Sequence, residues 1–327
     1  MNLTAQSRSA DRVSPLRRWI CVATVVSCLP YLLLKVAWIF GWTIGVDDAA
    51  FADTMRVANI ATAGMELTAI LIAVGLVAPW GKRIPAVLLA FPMWVATGLL
   101  VPVAVGSVLG GAIQVVTGGG NAYSGNDAME GWVFAVVYGG FATQAVLLLA
   151  GFVLYARDRW HVVVDGGADN GGGRTGRLQN HLGAVFVAAA VIFTGQQLVW
   201  AVWGSAVFSD LTTAQRVFLV VGASAAAAGA AAATGLLRGK RLTPARLVLL
   251  WLGTAVTFTS ALKDTVTYLA LDTEALGGSA RDPGNAALTL LVLLGSLAGA
   301  IGVAMRLAEE SAGSELTANA PVSLPLA

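Results

Sequence analysis

Four charged residues lie inside apolar runs: Lys35, Glu66, Lys263 and Asp264. A charge at the middle of a bilayer costs about 2.5–3.5 kcal/mol, so such a residue faces the interior of a bundle and takes a partner there. In the stretch CLPYLLLKVAWIFGWTIG (28–45), Lys35 shares a helical face with Cys28, Tyr31, Trp38 and Trp42. Glu66 follows Asn59 and Thr62 in the next run, and Asp264 shares a face with Thr257, Ser260, Thr267 and Tyr268. Lys263 is turned about 100° from Asp264 round its helix. The fourth run adds Tyr138, Thr143 and Gln144, and the fifth adds Thr194, Gln196, Gln197 and Trp200.

Lys35 and Glu66 fall at equal depth below the ends of adjacent antiparallel runs, which predicts an ammonium–carboxylate pair. Asp264 is the alternative partner for Lys35. Together these groups describe a polar pocket opening outward, suited to binding or translocating a small or amphipathic molecule, or protons. A membrane-embedded enzyme for a lipid or polyprenyl-like substrate is the second reading, with Asp264 or Glu66 as its acid. The third is an accessory subunit whose polar groups tie helices together, at about 1 kcal/mol each.

The enzyme reading is the weaker, because HExxH, a Cys/His cluster, Gly-x-Ser-x-Gly and a nucleotide loop are all missing. His161 and His181 both fall on the predicted cytoplasmic side, which excludes a haem held by two histidines within the membrane. Neither cofactor, metal nor nucleic acid is expected; the expected partners are the bilayer and a small-molecule or lipid ligand.

The elements that must position these residues follow from composition. The 327 residues are 57% hydrophobic and 12% charged, with a mean hydropathy of +0.76. Soluble domains carry roughly twice that share of charge, about 25%. Apolar runs at 19–44, 57–80, 86–106, 131–156, 181–206, 215–237, 246–270 and 285–307 are each long enough to cross a bilayer. They lack strand alternation, so the expected fold is all-α, an integral-membrane bundle of eight helices. With the N-terminus inside, fifteen Lys and Arg fall on inner segments and three (Arg56, Arg216, Arg281) on outer ones. That asymmetry places both termini in the cytoplasm, with the protein in the plasma membrane. Ala50-Phe51-Ala52 resembles a signal-peptidase site, but the long run before it, with Pro30 and Lys35, reads as a retained span. Cys21 and Cys28 are roughly 10 Å apart along one helix, too far to bridge.

The chain reads as duplicated. Trp38, Arg56-Val57, Gly75-Leu76, Gly81-Lys82-Arg83 and Pro85-Ala86 recur as Trp200, Arg216-Val217, Gly235-Leu236, Gly239-Lys240-Arg241 and Pro244-Ala245. Four spans per copy make the repeats parallel, related by an axis along the membrane normal. In this alignment Lys35 meets Gln197 and Glu66 meets Ala226. The expected organisation is an N-terminal tail (1–18), a first repeat (19–156), a Gly-rich cytoplasmic linker (157–180), a second repeat (181–307) and a C-terminal tail (308–327). GASAAAAGAAAATG in the sixth run reads as a central packing helix. Residues 106–131 read as a Gly-rich outer loop, a surface loop or a lid, in which Ala112–Val116 dips toward the interface.

Leu29-Pro30-Tyr31, Leu34-Lys35, Trp38 and the exit Gly41-Trp42-Thr43-Ile44-Gly45 resemble uncharacterised multi-pass membrane proteins of actinobacteria. The Ala/Gly/Val-rich composition and sixteen Arg to four Lys suit that origin. The resemblance implies a topology and no chemistry.

Overall fold

In a computed structural model the protein is all-helical, and residues 13–46, 56–85, 87–117, 129–166, 175–204, 211–270 and 283–318 are described. Among them, eight helices are long and apolar enough to cross a membrane, which makes this a multi-pass membrane protein. The helices are α1 (Pro15–Ile39), α2 (Arg56–Val77), the short α3 (Pro79–Arg83), α4 (Val87–Val116), α5 (Gly131–Gly166), α6 (Gly176–Trp203), α7 (Thr213–Leu237), α8 (Pro244–Ala270) and α9 (Pro283–Ala318). The chain divides into two compact units, Met1–Arg159 and Trp160–Ala327.

The elements differ from the sequence expectation mainly at their ends. α1 begins at Pro15, where Ser14 caps it by accepting from the Arg17 amide and proline suits a first turn that has no use for its N–H. It stops at Ile39, short of residue 44, and Gly41 takes φ 88°. That left-handed backbone ends a helix and favours glycine. α4 runs on to Val116 through residues expected to form a loop. α5 reaches Gly166 and α6 starts at Gly176, so much of the expected linker is helical; 167–174, like 118–128, lies outside the described residues. α9 likewise continues to Ala318, into the expected tail.

In unit 1, α1 and α2 are antiparallel neighbours, α2 packs on α4, and α5 joins both α1 and α2 through side chains. At one end the chain turns sharply after α1. Trp38 Nε1 donates to the Ile44 carbonyl at 2.9 Å, and Glu130 N donates to the Gly45 carbonyl at 3.0 Å. Gly45 has φ 68°, and a Cβ there would sit 2.4 Å from Val133 Cγ2. At the opposite end Tyr155 Oη and Arg159 Nη1 both donate to the Gly81 carbonyl, at 2.8 and 3.0 Å.

Unit 2 is a four-helix ring in which α6 packs on α7 and α9, and α8 closes the ring against both. Small residues set its spacing. A Cβ on Gly253 would lie 2.6 Å from Gly229 Cα, so α7 and α8 touch backbone to backbone. The Ala/Gly face of α7 is buried at Ala223, Ala226, Gly229, Ala230 and Ala233. Its N-terminus carries a reciprocal cap between Thr212 and Gln215. At the start of α6, Glu309 from α9 accepts from Thr175 N, Thr175 Oγ1 and Gln179 Nε2.

Candidate functional site

The polar groups of unit 1 form rungs between antiparallel helices. Lys35 Nζ donates to Asn59 Oδ1 at 3.1 Å, and both residues are buried. Seven residues deeper on each helix, the fully buried Cys28 thiol bonds the Glu66 carboxylate. Gln144 Nε2 of α5 donates to Glu66 Oε2 at 3.0 Å. Tyr31 lies between the rungs and interacts with Thr62.

The predicted Lys35–Glu66 ion pair is not made. Lys35 is four residues from the end of α1, whereas Glu66 is ten from the start of α2. Equal depth followed only from extending α1 to residue 44. The observed register separates the rungs by two helical turns, roughly 10 Å along the axis. Among the described residues, no carboxylate comes within 4.0 Å of Lys35 Nζ. Its charge meets aromatic faces: Nζ is 4.4 Å from the Tyr31 ring centroid and 5.9 Å from that of Trp38. Such contacts stabilise a cation by about 2 kcal/mol when desolvated.

Beside this ammonium lies a cavity of about 210 Å³. α1 supplies Tyr31, Lys35 and Trp38; α2 supplies Ala58, Asn59 and Thr62. α5 supplies Val133, Phe134, Val137 and Tyr138, and Val46 and Met129 close the end. Val46 and Met129 form an isolated antiparallel bridge, so backbone pairing fixes that wall. Tyr31 and Phe141 meet edge to face at 5.2 Å, which seats α5 on α1. The result is an apolar chamber with a few polar groups on one side, the usual make-up of a small-molecule site.

The remaining expected residues lie in unit 2. Lys263 and Asp264 pair with each other, Nζ to Oδ1 at 3.4 Å, with Lys263 61% exposed. Asp264 therefore has a neighbour on its own helix as partner. Thr257 is fully buried, while the side chains of Thr267 and Tyr268 lie outside the described residues. Gln197 is buried and packs on α7, where a Cβ on Gly222 would come within 3.5 Å of its Nε2. Gln196 is half-buried on the adjacent face.

Sequence reasoning missed two features. Asn59 emerges as the partner of Lys35. Arg17, assigned to the tail, is 2% exposed and binds Asp158 at 2.5 Å beside the Tyr155 ring. The spacing of Tyr155, Asp158 and Arg159, one helical turn on one face, was the available signal. Among the described residues no group of three or more metal-ligating side chains gathers. No family model, curated protein or solved structure matches the chain.

Proposed function

We propose that this protein binds a small amphipathic molecule in the unit 1 cavity. The observation that carries the reading is the buried Lys35 ammonium in the cavity wall, held by an amide and two aromatic faces where an ion pair was expected. A purely structural lysine is best served by a carboxylate in contact, since an unpaired buried charge is costly. Val46, Met129, Val133 and Val137 offer the opposing apolar surface. Binding is favoured over translocation by what lies deeper. Past the Glu66–Gln144 rung, α2 and α5 bury Ile72, Ala73, Leu76 and Leu148 before Tyr155 and Gly81 are reached. These apolar side chains do not provide a continuous polar path.

We take both termini as cytoplasmic, supported by the fifteen-to-three distribution of Lys and Arg, and the membrane as a bacterial plasma membrane, which the resemblance to actinobacterial proteins implies. We also take the two units as copies. Support comes from a contact made at matched positions: Arg56 Nε donates to the Ile39 carbonyl at 3.2 Å, and Arg216 Nη1 donates to the Ala201 carbonyl at 2.5 Å. Each arginine thus satisfies the end of the preceding helix at corresponding places. The positions matching Cys28, Tyr31 and Glu66 are Ala190, Phe193 and Ala226, all buried in the apolar core of unit 2. The second copy retains the helix packing while the chamber chemistry belongs to the first.

Photolabelling with a diazirine-bearing octanol in lipid nanodiscs tests the reading. Adducts are expected on the cavity-lining segments of α1, α2 and α5. They should disappear in Ala58→Phe, which adds bulk at an exposed lining position. Labelling spread evenly over lipid-facing residues, unchanged by that substitution, would refute it.

A further inference from the structure

We infer that the unit 1 cavity selects an amphiphile with a single negative charge, of the carboxylate class, whose head group sits at Lys35. The inference rests on the binding reading above and specifies its ligand. Among the described residues Lys35 is the only charged one in the wall, so these residues offer one positive charge, which matches a monoanion. An ammonium has three N–H donors, and among the described residues Nζ has one hydrogen-bond acceptor, Asn59 Oδ1. The remaining donors suit the two oxygens of a carboxylate.

The alternatives fit less well. A cationic head group would be drawn to the aromatic faces, but Lys35 already lies over Tyr31 and Trp38 and would repel it. Glu66 does not take the anion's place, because its carboxylate is engaged by Cys28 and Gln144 one rung deeper. A neutral alcohol can accept from Lys35, yet it leaves the buried charge uncompensated in an apolar chamber. The side chains of Val133 and Val137 then flank the hydrocarbon chain.

Competition against the diazirine-octanol label tests this in full-length protein in nanodiscs at neutral pH. Unlabelled octanoate, octanol and octyltrimethylammonium are compared at equal membrane-phase concentration, so that tail partitioning cancels. Octanoate is expected to displace the cavity label at a concentration at least about tenfold below octanol, because a charge-assisted contact in a desolvated site is roughly twice as strong as a neutral one. The cation should be the weakest. Lys35→Met should bring octanoate and octanol together, while Lys35→Arg should keep them apart. Equal potency of octanoate and octanol on the wild-type protein would overturn the inference and leave the binding reading standing. Absence of any cavity label that Ala58→Phe removes would overturn both. The wild-type comparison decides the matter even if Lys35→Met fails to accumulate.

Discussion

Lys35 of α1 and Asn59 of α2 are joined ammonium to amide oxygen at 3.1 Å, which ties the two antiparallel helices together at that level. Asn59→Leu removes the only hydrogen-bond acceptor that the described residues supply to a buried cation. The expected cost is about 1–3 kcal/mol, the penalty for a buried polar group left unsatisfied. Lys35→Met in the Asn59→Leu background should restore part of it, since removing both partners leaves nothing stranded. Thermal unfolding of the two single variants and the double variant in detergent gives the coupling directly.

Lys35 and Glu66 should show a smaller coupling. They belong to separate rungs, and Gln144 and Cys28 hold the carboxylate. Combining Lys35→Gln with Glu66→Ala is therefore expected to show a coupling clearly below that of Lys35 with Asn59, because the two charges are linked only through space and through Tyr31 between the rungs. A double variant clearly more stable than the sum would mean that the two charges meet in the membrane after all.

The eight spans were legible because each is a predominantly apolar run of bilayer length. Their registers were not, since register depends on where a helix stops, and α1 stops at a glycine turn that hydropathy does not mark. Five residues of excess helix were enough to put Lys35 opposite the wrong partner. Tyr31, Trp38 and Tyr138, notable by type and spacing, fall around one chamber, and Gln144 bonds Glu66 in the deeper rung. Asn59 was visible only as a neighbour of Glu66. Arg17 was hidden by its place at the edge of a run, where a solvated arginine is the ordinary expectation; only the fold brings Asp158 and Tyr155 to it.

The ends of the helices also make topology testable. With an odd number of crossings between them, the α4–α5 and α5–α6 connections belong on opposite faces of the membrane. Single cysteines introduced at residues 122 and 171, in a background lacking Cys21 and Cys28, should react with an impermeant maleimide in opposite patterns. Residue 122 is expected to label in intact cells and residue 171 only after permeabilisation, following the positive-inside distribution. The reverse pattern would place the cavity at the cytoplasmic face.

Gly41 and Gly45 separate backbone strain from crowding at the turn after α1, beside the cavity. Both have positive φ, 88° and 68°. A side chain in that region costs roughly 1–2 kcal/mol from backbone sterics alone. Nothing lies within 4 Å of a Cβ built on Gly41, so Gly41→Ala should lose only that amount. A Cβ on Gly45 would meet Val133 Cγ2 at 2.4 Å and Trp132 Cζ2 at 2.8 Å. Gly45→Ala must therefore push the start of α5 away from the α1 turn, adding an overpacking cost of about 1–3 kcal/mol. Val133 lines the cavity, and Gly45 accepts the backbone bond from Glu130 beside the Val46–Met129 bridge. The displacement should consequently weaken cavity photolabelling as well as stability, whereas Gly41→Ala should lower the melting temperature and leave the label in place. Valine-to-alanine truncation at residue 133 in the Gly45→Ala background relieves the nearer clash and should recover part of the labelling. Equal effects of the two glycine substitutions on labelling would show that the Gly45–Val133 contact does not shape the chamber.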